Sequence, residues 1–205
     1  MTAALGGAGS INVAAVVPCT EAEGPGRRYA LWVQGCPLRC PGCCNPEFLP
    51  EVERSRRAVT YVIADVLAAQ ARHGIEGISL LGGEPTRQAC ALADVATAVT
   101  AAGLTVMVYS GFTLDELRAE GDPDVLRLLA ATDLLVDGRY DETRRSTRRR
   151  FIGSDNQTLH FLSERHRPDD PRFAGDNTVE LRVRVAADGS LYVLNGWPVH
   201  GARTR

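Results

Sequence analysis

The sequence predicts an α/β fold in the form of an open, partial (β/α) barrel. Apolar runs of strand length alternate with segments whose apolar residues recur at helical spacing, which is typical of right-handed parallel βαβ units. The predicted parallel strands are too few to close a barrel of eight. A chain of 205 residues with 44% hydrophobic residues also suits one domain with a sizeable core.

The first 27 residues are predicted to form an N-terminal tail and an edge strand. Residues 1–10 are small and glycine-rich, and residues 11–17 form a short β-branched run. A turn with glycine and proline at 24–26 then leads into the predicted core domain, residues 28–162. The core domain begins with an apolar strand over residues 28–34, which we expect to be buried.

The middle of the core domain alternates helices with strands. Thr60 can cap a helix that runs to about His73, and Gly74 follows as a helix-ending residue. A further helix begins at Thr113, with acidic residues in its first turn that complement the helix dipole. The remaining predicted elements are strands over 78–81, 104–109 and 134–137 and helices over 85–102 and 125–131.

The C-terminal part departs from this βα pattern. Residues 159–162 are predicted to form a short strand or helix, and residues 163–205 a loop followed by a β-hairpin. Residues 179–185 alternate with period two, Asp188 and Gly189 are typical of a hairpin turn, and a second apolar run follows. We expect this C-terminal β-hairpin to be an appendage that covers the open edge of the barrel or lies on the substrate side.

A loop with three cysteines follows the first buried strand. Cys36, Cys40 and Cys43 are spaced by four and three residues, among prolines and glycines that disfavour a helix or strand. Three thiolates leave a structural zinc site one ligand short, unless Cys44 or a distant histidine completes it. They suffice for three irons of a [4Fe-4S] cluster, and the fourth iron then stays open to a small molecule.

The spacing C-x3-C-x2-C resembles the signature of the radical S-adenosylmethionine (SAM) superfamily. The downstream strand ending in Gly82, Gly83 and Glu84 strengthens the resemblance, because in that superfamily this motif meets the amino group of SAM. Further segments resemble the activating enzymes of glycyl radical enzymes, most of all that of anaerobic ribonucleotide reductase. These segments are residues 42–47, 108–113, 135–138 and 153–157. The resemblance covers roughly residues 30–162 and implies an open partial barrel of the radical SAM type.

The resemblance also assigns the site residues. It implies that Cys36, Cys40 and Cys43 hold the cluster, although Cys40 and Cys44 have the same spacing as the first pair. A thiol at position 44 either lines the site or simply packs. The residues expected to bind SAM are Gly82, Gly83, Glu84, Ser110, Asp137, Asn156 and Gln157. For Asp137 a helix cap or turn is the alternative interpretation.

The implied function is that of a radical SAM oxidoreductase that activates a glycyl radical enzyme. Such an enzyme cleaves SAM reductively to a 5′-deoxyadenosyl radical, which abstracts a hydrogen atom from a glycine of the partner. It requires an electron donor of the flavodoxin or ferredoxin type. Two alternatives are a stand-alone radical SAM enzyme that modifies a small molecule or peptide, and a metal-binding interaction module without catalysis.

Charge and composition restrict the partners and the compartment. The formal net charge of −2 predicts neither a nucleic-acid partner nor an anionic membrane partner. No apolar stretch is long enough to span a bilayer and no signal peptide is recognisable, so we expect a cytoplasmic protein whose cysteines are thiols or ligands. All basic residues are arginines, and five of them lie within residues 144–150. The charged stretch of residues 139–152, which contains these five arginines, is either a solvated loop, a docking face for an acidic partner or a lid over the site.

Overall fold

The computed structural model describes residues 9–178, 182–185 and 191–194. These residues form a seven-stranded mixed sheet, a separate two-stranded sheet and four α-helices. The strands are β1 (Ser10–Thr20), β2 (Arg28–Val33), β3 (Arg56–Ala58), β4 (Gly77–Gly82), β5 (Thr105–Tyr109), β6 (Leu134–Asp137), β7 (Thr158–Phe161), β8 (Arg182–Val185) and β9 (Leu191–Leu194). The helices are α1 (Val59–His73), α2 (Ala89–Ala101), α3 (Leu114–Glu120) and α4 (Pro123–Ala130).

The large sheet has a parallel centre. Its strands lie in the order β3-β1-β2-β4-β5-β6-β7, and β2, β4, β5 and β6 are parallel to one another. These four are the core strands that the sequence predicts, and helices connect them as expected. The predicted α/β class is therefore confirmed.

The two ends of the sheet differ from the prediction. Strands β1, β3 and β7 are antiparallel to their neighbours, and the structure does not show the predicted radical SAM barrel. The connections account for this: the turn between β1 and β2 is too short for a crossover, and the loop between β6 and β7 contains no α-helix, the usual crossover between parallel neighbours. The strand predicted at the edge, β1, has neighbours on both sides, because β3 pairs with its first three residues.

The helices pack on one face of this sheet. Residues of that face, such as Leu31, Leu80 and Leu135, form one core cluster with apolar residues of all four helices. Residues of the opposite face, such as Trp32 and Met107, pack in two smaller clusters under loop residues. No helix among the described residues combines the length and apolar character that a membrane span requires.

A buried arginine connects three parallel strands at their amino ends. Arg28 is fully buried, and its Nε donates to Ser79 Oγ at 2.8 Å. Its Nη1 donates to Thr105 Oγ1 and to the Pro25 carbonyl, and its Nη2 donates to the carbonyls of Ile78 and Thr105. Burial lowers the pKa of this guanidinium to about 10, so it stays charged at neutral pH. The cross-link lies at the end of the strands opposite to the cysteine-containing loop.

Replacing Tyr29 with phenylalanine is expected to lower the free energy of unfolding by about 1.5 kcal/mol, because a hydrogen bond to a charged group is lost. The Tyr29 hydroxyl of β2 donates to Asp65 Oδ2 of α1 at 2.6 Å, on a buried ring. Urea denaturation measures the difference. Tyr61→Phe is the matched control, since the Tyr61 ring is 58% exposed, and its effect should stay within about 0.5 kcal/mol.

The C-terminal hairpin is confirmed as a pair of strands. Strands β8 and β9 are antiparallel, with Arg182 opposite Leu194 and Val185 opposite Leu191. The turn predicted at residues 188–189 and the tail predicted over residues 1–8 lie outside the described part of the chain.

Candidate functional site

The cysteine loop, defined as residues 35–45, begins where β2 ends. Two backbone hydrogen bonds close its base, from Gly35 N to the Phe48 carbonyl at 2.8 Å and from Cys36 N to the Leu49 carbonyl at 3.0 Å. The loop therefore leaves the sheet and returns to the same point, at the carboxyl edge of the parallel strands. Ligands of parallel α/β folds bind at this edge.

The loop carries free thiols in different surroundings. Cys36 is buried, Cys40 and Cys43 are half-buried, and Cys44 is exposed rather than packed in the core. Burial raises the pKa of Cys36 and of Cys40. The pKa of Cys43 is lowered to about 6, chiefly because its sulfur accepts a hydrogen bond from the Cys44 thiol.

The donor set fits an iron-sulfur cluster in kind and number. In the part of the chain that the structure describes, no three His, Cys, Asp or Glu side chains are gathered around one point as a metal-ion site. Each sulfur of the motif is nevertheless close enough to raise the pKa of its neighbour, Cys40 acting on Cys36 and Cys43 on Cys40. Three free thiols on one loop are the ligands that three irons of a [4Fe-4S] cluster require.

The Gly-Gly-Glu turn, residues 82–84, is attached directly to this loop. Gly83 N donates to the Val33 carbonyl at 2.7 Å, and Glu84 N donates to the Gly35 carbonyl at 2.8 Å. Gly82 has a φ of 104°, a backbone conformation that favours glycine. A Cβ atom on Gly83 would overlap the Gly35 backbone. The structure thus brings the two sequence motifs together at one point of the sheet edge.

The Glu84 carboxylate connects the end of β4 to the end of β5. It is buried, and Oε1 accepts from Thr86 N at 3.1 Å, from Thr86 Oγ1 at 2.8 Å and from Ser110 Oγ at 3.0 Å. Its Oε2 accepts from Gly111 N at 2.8 Å. Both oxygens therefore have protein donors, whereas the half-buried Gly82 leaves backbone accessible beside them. The sequence signal for this role is Pro85, because a proline at the first position of a short helix marks the preceding residue as its cap.

Replacing Glu84 with glutamine is expected to lower the free energy of unfolding by about 2 kcal/mol. Either orientation of the amide directs its NH2 group at a backbone N–H, that of Thr86 or that of Gly111, so one buried donor loses its acceptor. Urea denaturation at neutral pH measures the loss. Glu47→Gln, at an exposed position, is the control and should change stability by less than about 0.5 kcal/mol.

The same variant has an expected pH signature. Burial raises the pKa of Glu84 in the folded protein, so the folded state keeps this proton to a higher pH than the unfolded chain does. The contribution of Glu84 to stability therefore falls as pH rises from the ordinary carboxyl value to the raised one. Glu84→Gln should lack that decrease, and an identical pH profile in both proteins would contradict the assignment.

Ser110 and Asp137 lie at the same edge, but protein partners occupy their side chains. Besides its bond to Glu84, Ser110 Oγ accepts from Phe112 N at 3.1 Å. Asp137 Oδ2 accepts from Leu114 N, the first residue of α3, at 2.6 Å and lies 2.9 Å from His160 Nε2. Asp137 thus acts as a cap of α3, the alternative that the sequence left open. Sequence reasoning missed His160, which enters the site only because β7 pairs with β6.

Asn156 and Gln157 hold the segment that follows β6. Asn156 Nδ2 donates to the Arg139 carbonyl at 2.7 Å, and Gln157 Nε2 donates to the Gly138 carbonyl at 2.8 Å. Gln157 Oε1 accepts from Gly153 N at 3.0 Å and from Ser154 N at 3.2 Å. These side chains are therefore engaged with backbone groups of their own loop.

The segments that follow β5 and β6 reach the cysteine loop. Leu38 of the cysteine loop packs so closely on Gly111 that a Cβ atom on Gly111 would overlap the Leu38 side chain. A Cβ atom on Gly42 would likewise overlap the Glu142 side chain. A backbone hydrogen bond from Tyr140 also reaches the sulfur of Cys40. With the Gly-Gly-Glu turn after β4, the cysteine loop thus contacts segments that follow three of the parallel strands. No sequence motif indicated these contacts.

Comparison with known proteins identifies the family of this arrangement. A family described as a 4Fe-4S single cluster domain matches residues 22–160. The anaerobic ribonucleoside-triphosphate reductase-activating protein of Salmonella typhi is 31% identical over 159 residues, which cover 71% of this chain and 95% of the relative. The protein of the same name from Escherichia coli K12 is 29% identical over 153 residues, with coverage of 71% and 95%. The chain therefore belongs to the 4Fe-4S single cluster domain family, among the radical SAM activating enzymes of glycyl radical enzymes.

Proposed function

We propose that this chain cleaves SAM reductively and uses the resulting 5′-deoxyadenosyl radical to abstract a hydrogen atom from a glycine of a partner enzyme of the anaerobic ribonucleotide reductase type. The names of its relatives support this partner. The observation that carries the proposal is the attachment of the Gly-Gly-Glu turn to the base of the cysteine loop, through Gly83 N and Glu84 N. It places the motif implied to bind SAM beside Cys36.

The cysteine loop supplies the proposed cluster ligands. Cys36, Cys40 and Cys43 would hold a [4Fe-4S] cluster, which when bound and reduced supplies the electron that breaks a carbon–sulfur bond of the SAM sulfonium. The backbone groups of Gly82 and Gly83 would approach the SAM amino group. The open edge then gives the partner's glycine access to the nucleotide.

The other predicted SAM residues are proposed to act by positioning. Glu84 joins the ends of β4 and β5, with Ser110 as one of its donors, and this keeps the Gly-Gly-Glu turn in place. Asp137 fixes the start of α3. Asn156 and Gln157 fix the loop after β6. Their substitution should therefore reduce order around the site before it affects the affinity for SAM.

The proposal includes an open partial barrel. All four helices cover one face of the sheet, as they do in a (β/α) barrel whose strands follow each other in sequence order. The opposite face, which contains Trp32 and Met107, would then be the inner face, over which substrate and cofactor lie.

The decisive experiment is anaerobic reconstitution with iron and sulfide, reduction with dithionite and incubation with SAM. Chromatography should detect 5′-deoxyadenosine, and adding an anaerobic ribonucleotide reductase should produce a glycyl radical signal in electron paramagnetic resonance. A colourless protein that contains zinc would contradict the proposal. Formation of 5′-deoxyadenosine without any glycyl radical would instead favour a stand-alone enzyme that acts on a small molecule or peptide.

A further inference from the structure

An unusually basic segment lies beside the cysteine loop. Residues 144–150, here called the arginine segment, contain five arginines and no acidic residue, in a chain whose formal net charge is −2. Arg144 and Arg148 are exposed, and Arg144 has an acidic neighbour just before the segment, since its charge lowers the pKa of the Asp141 carboxyl. Such a charge concentration attracts acidic partners and repels basic ones.

The arginine segment is held in a defined shape. Arg145 forms an antiparallel bridge with Ser154, and Ser146 N donates to the Gly153 carbonyl at 3.0 Å. Asn177 N donates to the Thr147 carbonyl at 2.8 Å, which fixes the middle of the segment. A docking surface with a fixed backbone loses less conformational entropy on binding than a flexible tail does.

Contacts with the cysteine loop place these charges next to the proposed cluster. The residues just before the segment are the ones that touch this loop, Tyr140 at the sulfur of Cys40 and Glu142 at Gly42. Gly42 is exposed, and the charges of the exposed Arg39 and of the exposed Glu142 at Gly42 have opposite signs, so the excess positive charge belongs to the arginine segment itself. A protein seated on the arginine segment would therefore face the outer side of the cysteine loop.

From this placement we infer that the arginine segment docks the acidic one-electron carrier protein that reduces the cluster. This inference rests on the proposed function, because only a cluster that must be reduced needs such a donor. In the step, one electron leaves the reduced carrier, which becomes oxidised, and enters the oxidised cluster, which becomes reduced. The carrier is favoured over the glycyl radical enzyme because an electron needs only the outer side of the loop, whereas the glycine must reach SAM.

The test compares two reductants in the reconstituted full-length protein. R144E/R148E should form 5′-deoxyadenosine about tenfold more slowly than the wild type when a reduced, acidic flavodoxin is the donor, and at an unchanged rate with dithionite. R72E/R118E, with the same change in net charge at exposed positions of α1 and α3, is the matched control and should behave as the wild type. Added salt should slow the flavodoxin-driven reaction of the wild type and leave R144E/R148E nearly unaffected.

The outcomes distinguish a failure of the proposed function from a failure of the docking inference. If dithionite supports no cleavage in the wild type, the proposed function is wrong. If dithionite works but R144E/R148E accepts electrons from flavodoxin normally, or loses affinity only for the glycyl radical enzyme, the docking inference is overturned. If charge reversal impairs the dithionite reaction as well, the neutral variant R144Q/R148Q is tested in its place. The inference then stands only if R144Q/R148Q reacts more slowly than the wild type with flavodoxin and at the wild-type rate with dithionite.

Discussion

Cys40→Ala should lose 5′-deoxyadenosine formation entirely and retain little iron after reconstitution. Cys40 is the central thiol of the loop, and its sulfur is linked electrostatically both to Cys36 and to Cys43. Removing it leaves two thiolates, too few to hold the three irons that the proposal assigns to the protein. Iron and sulfide analysis, visible absorption and chromatography of the SAM products measure the result.

The folded state of this variant should survive. Cys40 is half-buried, so its replacement by alanine should change the free energy of unfolding of the cluster-free protein by less than about 1 kcal/mol. Urea denaturation of the cluster-free wild type and variant therefore separates loss of a ligand from loss of the fold. If cluster-free Cys40→Ala is unfolded, Cys40→Ser, which keeps the shape of the side chain, is the variant that tests whether the thiol is a cluster ligand.

Cys44→Ala is the control that resolves the ligand set. Cys44 is exposed and its thiol donates to Cys43, so the variant should keep its iron and its activity. Cys90, an exposed thiol of α2, provides a remote control for the number of cysteines. If Cys44→Ala loses the cluster and Cys43→Ala retains it, Cys44 replaces Cys43 as the third ligand; Cys40 and Cys44 have the same four-residue spacing as Cys36 and Cys40.

The central strands and helices were predictable because local signals define them. Helix α1 ends at Gly74, whose φ of 59° is left-handed, as a glycine after a periodic helix pattern indicates. Helix α3 begins after Thr113, whose side chain caps the helix and forms a capping box with Glu116. The parallel strands between the helices are continuous apolar runs. Each of these features depends on residues that are close in sequence.

The ends and the curvature of the sheet could not be predicted in this way. Strand β3 has three residues, two of them arginines, and it exists only because it pairs with β1. Strand β7 had no clear period and is defined by its pairing with β6. Curvature toward a barrel depends on the twist of the whole sheet, and no single segment encodes it.

The same distinction between local and long-range signals applies to the candidate site. Cysteine spacing and the Gly-Gly-Glu turn could be recognised because each lies within a few consecutive residues. The engagement of Asp137 with Leu114 and His160 could not, because it depends on which groups lie opposite across the sheet edge. Gln157 likewise bonds to Gly138, nineteen residues earlier in the chain. A polar residue at a strand end can thus be predicted to lie near the site, but its role depends on its hydrogen-bond partner in the fold.

Gly83→Ala tests the contact on which the proposed function depends. The backbone of Gly83 packs against that of Gly35, and an added Cβ would overlap the Gly35 carbonyl. Backbone atoms on both sides must then move, so we expect the free energy of unfolding to fall by about 3 kcal/mol. Because Cys36 follows Gly35 directly, the same movement displaces the first proposed cluster ligand from the turn. The rate of 5′-deoxyadenosine formation per reconstituted cluster should therefore fall roughly tenfold or more, equivalent to about 1.4 kcal/mol in barrier.

Gly9→Ala is the matched control for this substitution. Neither Gly9 nor Gly83 has a positive φ, and a Cβ on Gly9 would meet Ala91 and Val59 at the ordinary contact distances of 3.6 and 3.7 Å. Its effect on stability should be within about 1 kcal/mol, with the reaction rate unchanged. If Gly83→Ala were as stable and as active as Gly9→Ala, the turn and the cysteine loop would not need to touch. The SAM-binding motif would then act independently of the proposed cluster ligands, which contradicts the geometry from which the function was inferred.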